Sequence, residues 1–197
     1  MRNPNHPKKD DRITVQPIRE TKDIESIKKL LSNDTRDLLL FCLGINNGLR
    51  CGDLLTIKVQ NVKNLKPGET VTIREQKTGK TNFLMVNKSC HKILKEYLDK
   101  VKPSDEDYLF KSRKGDNQPL SVSSVNGMVK QWCRSINLKG NFGTHSMRKT
   151  FGYIQRKKYG VGWEILCKRF NHSSPSITMR YLGIEDKEVN GILINEI

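Results

Sequence analysis

The spacing of apolar positions along this chain changes period twice. From Thr21 to Leu31, "TKDIESIKKLL" sets Ile24, Ile27, Leu30 and Leu31 at helical spacing behind a threonine suited to cap the first turn. "DTRDLLLFCLGINNGLR" follows with an apolar run from Leu38 to Ile45 that leaves little polar face. This predicts a more deeply buried helix, stopped by Asn46, Asn47 and Gly48. The period then drops to two: "LTIKVQNVKN" and "ETVTIREQ" alternate, and "KTGKT" offers a turn glycine before "NFLMVN". A small antiparallel sheet is the expectation. Helical spacing returns in "SCHKILKEYLDKV", through Ile93, Leu94, Tyr97, Leu98 and Val101. After the loop "KSRKGDNQPL" it resumes in "SVSSVNGMVKQWCRSI", through Val122, Val125, Val129, Trp132 and Ile136, in spite of Gly127. From Thr144 onward the pattern reads as three or four short helices, the last roughly "DKEVNGILINEI". The predicted class is α+β, mainly α-helical with one small antiparallel sheet inserted.

Residues 1–19 carry charge, Pro4, Pro7 and Pro17 but no apolar period, and read as a linker or arm ahead of one domain over residues 20–197. The chain has 197 residues, enough for one substantial core. Composition adds a partner: 36 Lys and Arg against 21 Asp and Glu give a net charge of +15, spread over the whole length. A polyanion, most simply nucleic acid, fits that excess; a merely solubilising basic surface is the bland alternative. No apolar stretch approaches the ~18 residues of a membrane span, and the start "MRNPNHPKKDD" lacks the apolar segment of a secretion signal. Cys42, Cys51, Cys90, Cys133 and Cys167 are odd in number and lie mostly among apolar residues, which suits small buried hydrophobes in a reducing, cytoplasmic setting. Cys90 and His91 have no companions at metal-ligand spacing, so no metal is expected.

Four stretches hold candidate chemistry. In "GTHSMRKTFGY", His145 and Arg148 are three apart and share a helix face. They either point at one anionic ligand, the arginine as a planar fork, or open an ordinary basic helix behind Thr144 as its cap. In "NNGLRCGDLL", Arg50 follows a helix end, and Asp53 either holds the arginine's side chain from behind by an ion pair, aiming it at a ligand, or forms a buried structural ion pair with it. Lys77 in "REQKTGKTN" stands at a turn, swinging into a groove or facing water. "NHSSPSITMRY" supplies His172 and Tyr181, the tyrosine being either a half-buried aromatic or a nucleophile. A phenol with a pKa near ~10 attacks a phosphodiester only if cations lower the cost of phenolate and offset the phosphate charge.

Taken together, in this order and spacing, these stretches resemble the tyrosine recombinases, the phage and transposon integrases, over about residues 21–183. "GLRCGDL" is similar to that family's first arginine box, "QKTGK" to its β-hairpin lysine box, "THSMRKTF" to its H-x-x-R box and "NHSSPSITMRYLGI" to its last box. Where the family usually has Leu-Gly before the last histidine, this chain has Phe170 and Asn171. The resemblance implies a catalytic domain that cleaves and rejoins DNA through a 3′-phosphotyrosine, without metal, ATP or other cofactor. It assigns Arg50, Arg148 and His172 to the phosphate, Tyr181 to attack, Lys77 to the leaving 5′-oxygen and His145 to proton transfer. It also implies double-stranded DNA as partner, four protomers assembling on DNA, a bacterial or phage-encoded source and an upstream DNA-clamping domain not contained in this sequence. Two rivals remain at this point: type IB topoisomerase-like relaxation, and an inactive DNA-binding regulator of the same fold.

Overall fold

The fold is taken from a computed structural model, which describes residues 14–183 and residue 196. Its elements run α1 (Thr21–Leu30), α2 (Thr35–Asn47), α3 (Cys51–Leu55), α4 (Val59–Val62), β1 (Thr70–Arg74), β2 (Thr81–Met85), α5 (Lys88–Val101), α6 (Val122–Ser135), α7 (Thr144–Tyr159), α8 (Trp163–Arg169) and α9 (Pro175–Leu182). The expected closing helix "DKEVNGILINEI" lies outside the described residues, as does most of the expected arm.

The buried run of α2 is explained by what surrounds it. Helices α5 and α7 both pack on it, so Leu39, Leu40, Phe41 and Leu43 are covered and no side needs to be polar. Phe41 meets Trp132 of α6 edge-on, with ring centroids 5.9 Å apart. Complete burial of such side chains contributes roughly 1.5–3 kcal/mol each. Asp34 caps α2 by accepting from the Asp37 amide, and Gly48 ends it at φ 60°. That position requires glycine twice over, because a Cβ there would also collide with the Phe151 ring.

Three expectations are corrected. The stretch 55–64 is not a strand: after Ile57 the chain turns into α4, where Val59 and Val62 share a buried face. The Val59 and Gln60 amides donate to the carbonyls of Asp107 and Asp105, so a loop, not a strand, takes up the hydrogen bonds of this segment. The sheet is therefore two-stranded, β1 antiparallel to β2, with Thr70 opposite Met85 and Arg74 opposite Thr81. Thr21 is the first residue of α1 and not its cap, a position held by Glu20 without a side-chain bond. Val101 and Val122, expected on buried faces, are about half exposed.

Two apolar clusters result. The large one takes in α1 to α7, and a small one gathers Leu166, Phe170 and Leu182 with Phe151, Trp163 and Tyr181 packed against it. Residues 14–19 form no helix or strand but are fastened to α7 and the loop before it: the Gln16 amide donates to the Asn141 carbonyl at 2.8 Å, and Ile18 is fully buried with its amide donating to the Thr150 hydroxyl at 2.8 Å.

Candidate active site

The seam between the two clusters is where the sequence candidates meet. Arg50 sits at the N-cap position of α3, immediately after the Gly48–Leu49 turn out of α2. Arg148 occupies the second turn of α7, whose first turn is fastened by Asn126 accepting from the Thr144 amide and by Ser146 accepting from the Gly143 amide. Thr144 is the first helical residue here, with Gly143 at the cap position. Arg50, Asp53, Gln76, Lys77, Thr144, His145 and Arg148 line a common cleft of about 240 Å³.

Arg148 crosses the seam. It is 3% exposed; one terminal nitrogen donates to the Gly48 carbonyl at 2.5 Å and the other to the Phe170 carbonyl at 2.8 Å, while the guanidinium lies 4.5 Å above the Phe170 ring. Two of its five N–H groups are thus spent on backbone carbonyls, which fixes the plane of the guanidinium. Burial pulls its pKa down to about 10, still far above neutrality.

Arg50 is held chiefly by a residue that sequence reasoning did not single out. Its Nη1 lies 2.5 Å from Oε2 of Glu75, with Asp53 farther off at 4.0 Å. Asp53 instead accepts from the Gln76 amide at 2.9 Å, tying α3 to the hairpin turn. Glu75 had a sequence signal: it extends the period-two inward series Val71, Ile73 of β1, a position where a carboxylate is out of place. Asn82, inward-facing on β2 beside Leu84, carries the same signal. Arg169, also missed, fastens the hairpin by donating to the Asn47 and Phe83 carbonyls and to the Asn82 side chain. Lys77 is exposed on the turn.

The half-buried Tyr181 comes from α9, with its hydroxyl 3.4 Å from His145 Nδ1, too long for a strong hydrogen bond. The His172 ring stands edge-on to it at 5.3 Å, and the Lys149 ammonium lies 5.0 Å over its face. Tyr181 and His145 also border a second hollow of about 370 Å³ with Lys149 and Arg180, so the phenol has an open side. Burial pushes the phenol pKa up to about 12, against the opposing pull of Arg148 and Arg50. Burial, then Arg148 and Arg50, hold His172 down to about 4. His145 is lowered too, by burial and by Arg148, Lys149, Arg50 and Lys77. Both imidazoles are therefore neutral at pH 7. His172 Nδ1 lies 2.9 Å from the Thr178 hydroxyl; with that hydroxyl donating, Nε2–H is left as the free donor. Asn171 takes φ 52°, the left-handed turn that glycine favours and asparagine tolerates, so Phe170-Asn171 still turns the chain into His172.

The chemistry available is anion binding by two guanidiniums and a lysine, beside a phenol with a neutral base. Among the described residues no cluster of metal-ligating side chains is found, and no helix is long and apolar enough to cross a membrane.

Comparison with known proteins places these observations. The sequence profile of the phage integrase family matches residues 19–188. The probable integrase/recombinase YoeC of Bacillus subtilis (strain 168) is 37% identical over 175 residues, covering 87% of this chain and 91% of YoeC. Tyrosine recombinase XerC of Caldanaerobacter subterraneus subsp. tengcongensis is 29% identical over 199 residues, covering 95% of this chain but 54% of XerC. Among solved structures, XerA recombinase superposes with a TM-score of 0.75 at 21% identity, over 92% of this chain and 67% of that one. XerH bound to its difH substrate after cleavage gives 0.73 at 18% identity, over 96% of this chain and 55% of that one.

Proposed function

This chain belongs to the phage integrase family of tyrosine recombinases, and from that premise we propose that it carries the strand-transfer chemistry of a site-specific DNA recombinase. The convergence of Arg50, Lys77, His145 and Arg148 on one cleft, with the Tyr181 hydroxyl beside His145, is the observation that supports the residue roles.

Arg50, Arg148 and the His172 Nε2–H hold the non-bridging oxygens of one DNA phosphate. Tyr181 attacks phosphorus in line with the departing 5′-oxygen, forming a 3′-phosphotyrosine, and Lys77 protonates that oxygen. With the phenol at about 12, forming free phenolate at pH 7 would cost roughly 7 kcal/mol. Attack therefore runs with proton transfer to a base, and His145, neutral and with Nδ1 3.4 Å from the hydroxyl, is that base. One phosphodiester is exchanged for another ester of similar energy, so the partner strand's 5′-hydroxyl reverses the step without an outside energy source. Positioning and charge stabilisation supply most of the acceleration.

Double-stranded DNA is the substrate of this reading, and assembly of four protomers on two sites is its expected quaternary form, to be checked by crosslinking on DNA. The relatives named above are recombinases, which favours exchange between strands over relaxation of a single one. The deciding experiment is incubation with a nicked suicide duplex. Wild-type protein forms a covalent DNA adduct and Tyr181→Phe forms none, while melting stays within about 0.5 kcal/mol because the ring and its packing remain. An adduct formed equally well by the phenylalanine variant would falsify the nucleophile assignment.

A further inference from the structure

Glu75 is a buried carboxylate for which the mechanism above has no use. Its side chain is fully covered, yet it stands beside the place where a phosphate is expected, where a negative charge opposes binding. Its partners come from separate parts of the fold. Oε2 meets Arg50 at 2.5 Å and accepts from the Thr78 hydroxyl at 2.5 Å; Oε1 accepts from the Asn82 amide at 2.8 Å and the Asn171 amide at 3.0 Å. Burial alone would raise this carboxyl, but its donors reverse the effect and hold it at about 2, so it is an anion throughout the working range.

We propose that Glu75 is a positioning residue for strand cleavage, acting through Arg50. It draws Nη1 to one side, where Asp53 also stands, and so presents the rest of the guanidinium to the cleft. Through Asn171 it further joins the hairpin that carries Lys77 to the turn that carries His172. The Arg169 bond to Asn82 extends the same connection to the end of α8. The inference rests on the strand-transfer reading and adds to it an anion that aids catalysis in spite of its sign.

That sign gives the test. Glu75→Gln keeps size and one acceptor oxygen, turns the other into an amide donor facing donors, and removes a negative charge near the phosphate. By electrostatics alone it tightens DNA binding and speeds cleavage; loss of positioning slows cleavage at equal or tighter affinity. The experiment measures single-turnover adduct formation on the nicked duplex, and DNA affinity by anisotropy, for wild type, Glu75→Gln, Arg50→Lys and the double variant. Glu75→Gln is expected to slow adduct formation about 10–100-fold without weaker binding. In the Arg50→Lys background it should add little further slowing, since it acts through the arginine. Asn171→Gly keeps the turn and deletes one bond to Glu75, so it should show a smaller slowing, and it decides the matter if Glu75→Gln does not fold.

Wild-type rates in the folded variant overturn the inference. So does an equal slowing in both backgrounds, or a slowing explained wholly by weaker DNA binding. A wild-type chain that forms no adduct removes the strand-transfer reading and this inference with it; a wild-type adduct matched by Glu75→Gln removes the inference alone.

Discussion

Replacing Arg148 with lysine separates two things this residue does. The guanidinium reaches the Gly48 and Phe170 carbonyls at once, one on each side of the seam, and stacks on the Phe170 ring. An ammonium is a point donor on a flexible stem and can satisfy one of those carbonyls. The other is left buried without a partner, at a cost of about 1–3 kcal/mol. For a domain of this size each kcal/mol lowers Tm by roughly 2–4 °C, so Arg148→Lys should melt about 2–12 °C below wild type. Arg148→Ala orphans both carbonyls and should fall further. Charge is retained in the lysine variant, so its DNA affinity at low salt should drop only modestly, while adduct formation should slow by on the order of 10²-fold because the planar clamp is gone. Thermal melting, anisotropy and the suicide-substrate rate measure the three effects separately. A lysine variant that melts within about 1 °C of wild type and cleaves within about threefold would show that the two-carbonyl bridge neither holds the seam nor sets the clamp.

Gly48→Ala should destabilise by more than the ~1 kcal/mol of left-handed backbone strain, because its Cβ also meets Phe151, and chemical denaturation reads this directly. His172, at about 4 in the fold against an ordinary 6.5, binds its proton more readily when unfolded. Its contribution to stability is therefore complete above pH 6.5 and is lost as pH falls toward 4. Glu75, at about 2 against an ordinary 4.5, adds a second loss confined to lower pH. Denaturation midpoints of His172→Gln followed from pH 7 to pH 4 should lack most of the first loss; a wild-type slope in that variant would show that His172 is not its source.

Much of the fold was legible because its signals are local. The α2 run, the β1–β2 alternation and the left-handed stop at Gly48 each follow from residues a few positions apart. The false strand at 55–64 shows the limit: Leu55, Ile57 and Val59 do alternate inward, but the hydrogen-bond partner is the polar loop around Asp105 and Asp107, which has no periodic signature. The site divides in the same way. Arginines, histidines and tyrosine were found as box members, whereas Arg169 binds Asn47 across 122 positions and nothing near it in sequence sets it apart from other basic residues. Glu75 and Asn82 were visible in principle, as polar groups on the inward face of a hairpin.

In the proposed mechanism the arginines act twice. Before DNA arrives, Arg148 and Arg50 help depress both imidazoles, which keeps His145 unprotonated and able to accept the phenol proton. A bound phosphate brings negative charge to the same guanidiniums and offsets their field at the rings, so the proton affinity of His145 rises when the substrate is in place. The phosphate also works against ionisation of a phenol already at about 12, so the proton must leave as the new bond forms and not before. The empty site thus holds a poor nucleophile and a weakened base, and the substrate strengthens the base. Cleavage should accordingly tolerate mild acid better than an ordinary histidine base permits: single-turnover rates with saturating uncleaved duplex should hold below pH 6.5, and a rate that falls with an apparent pKa at or above 6.5 would remove His145 as the base or show that the phosphate more than cancels the arginine field.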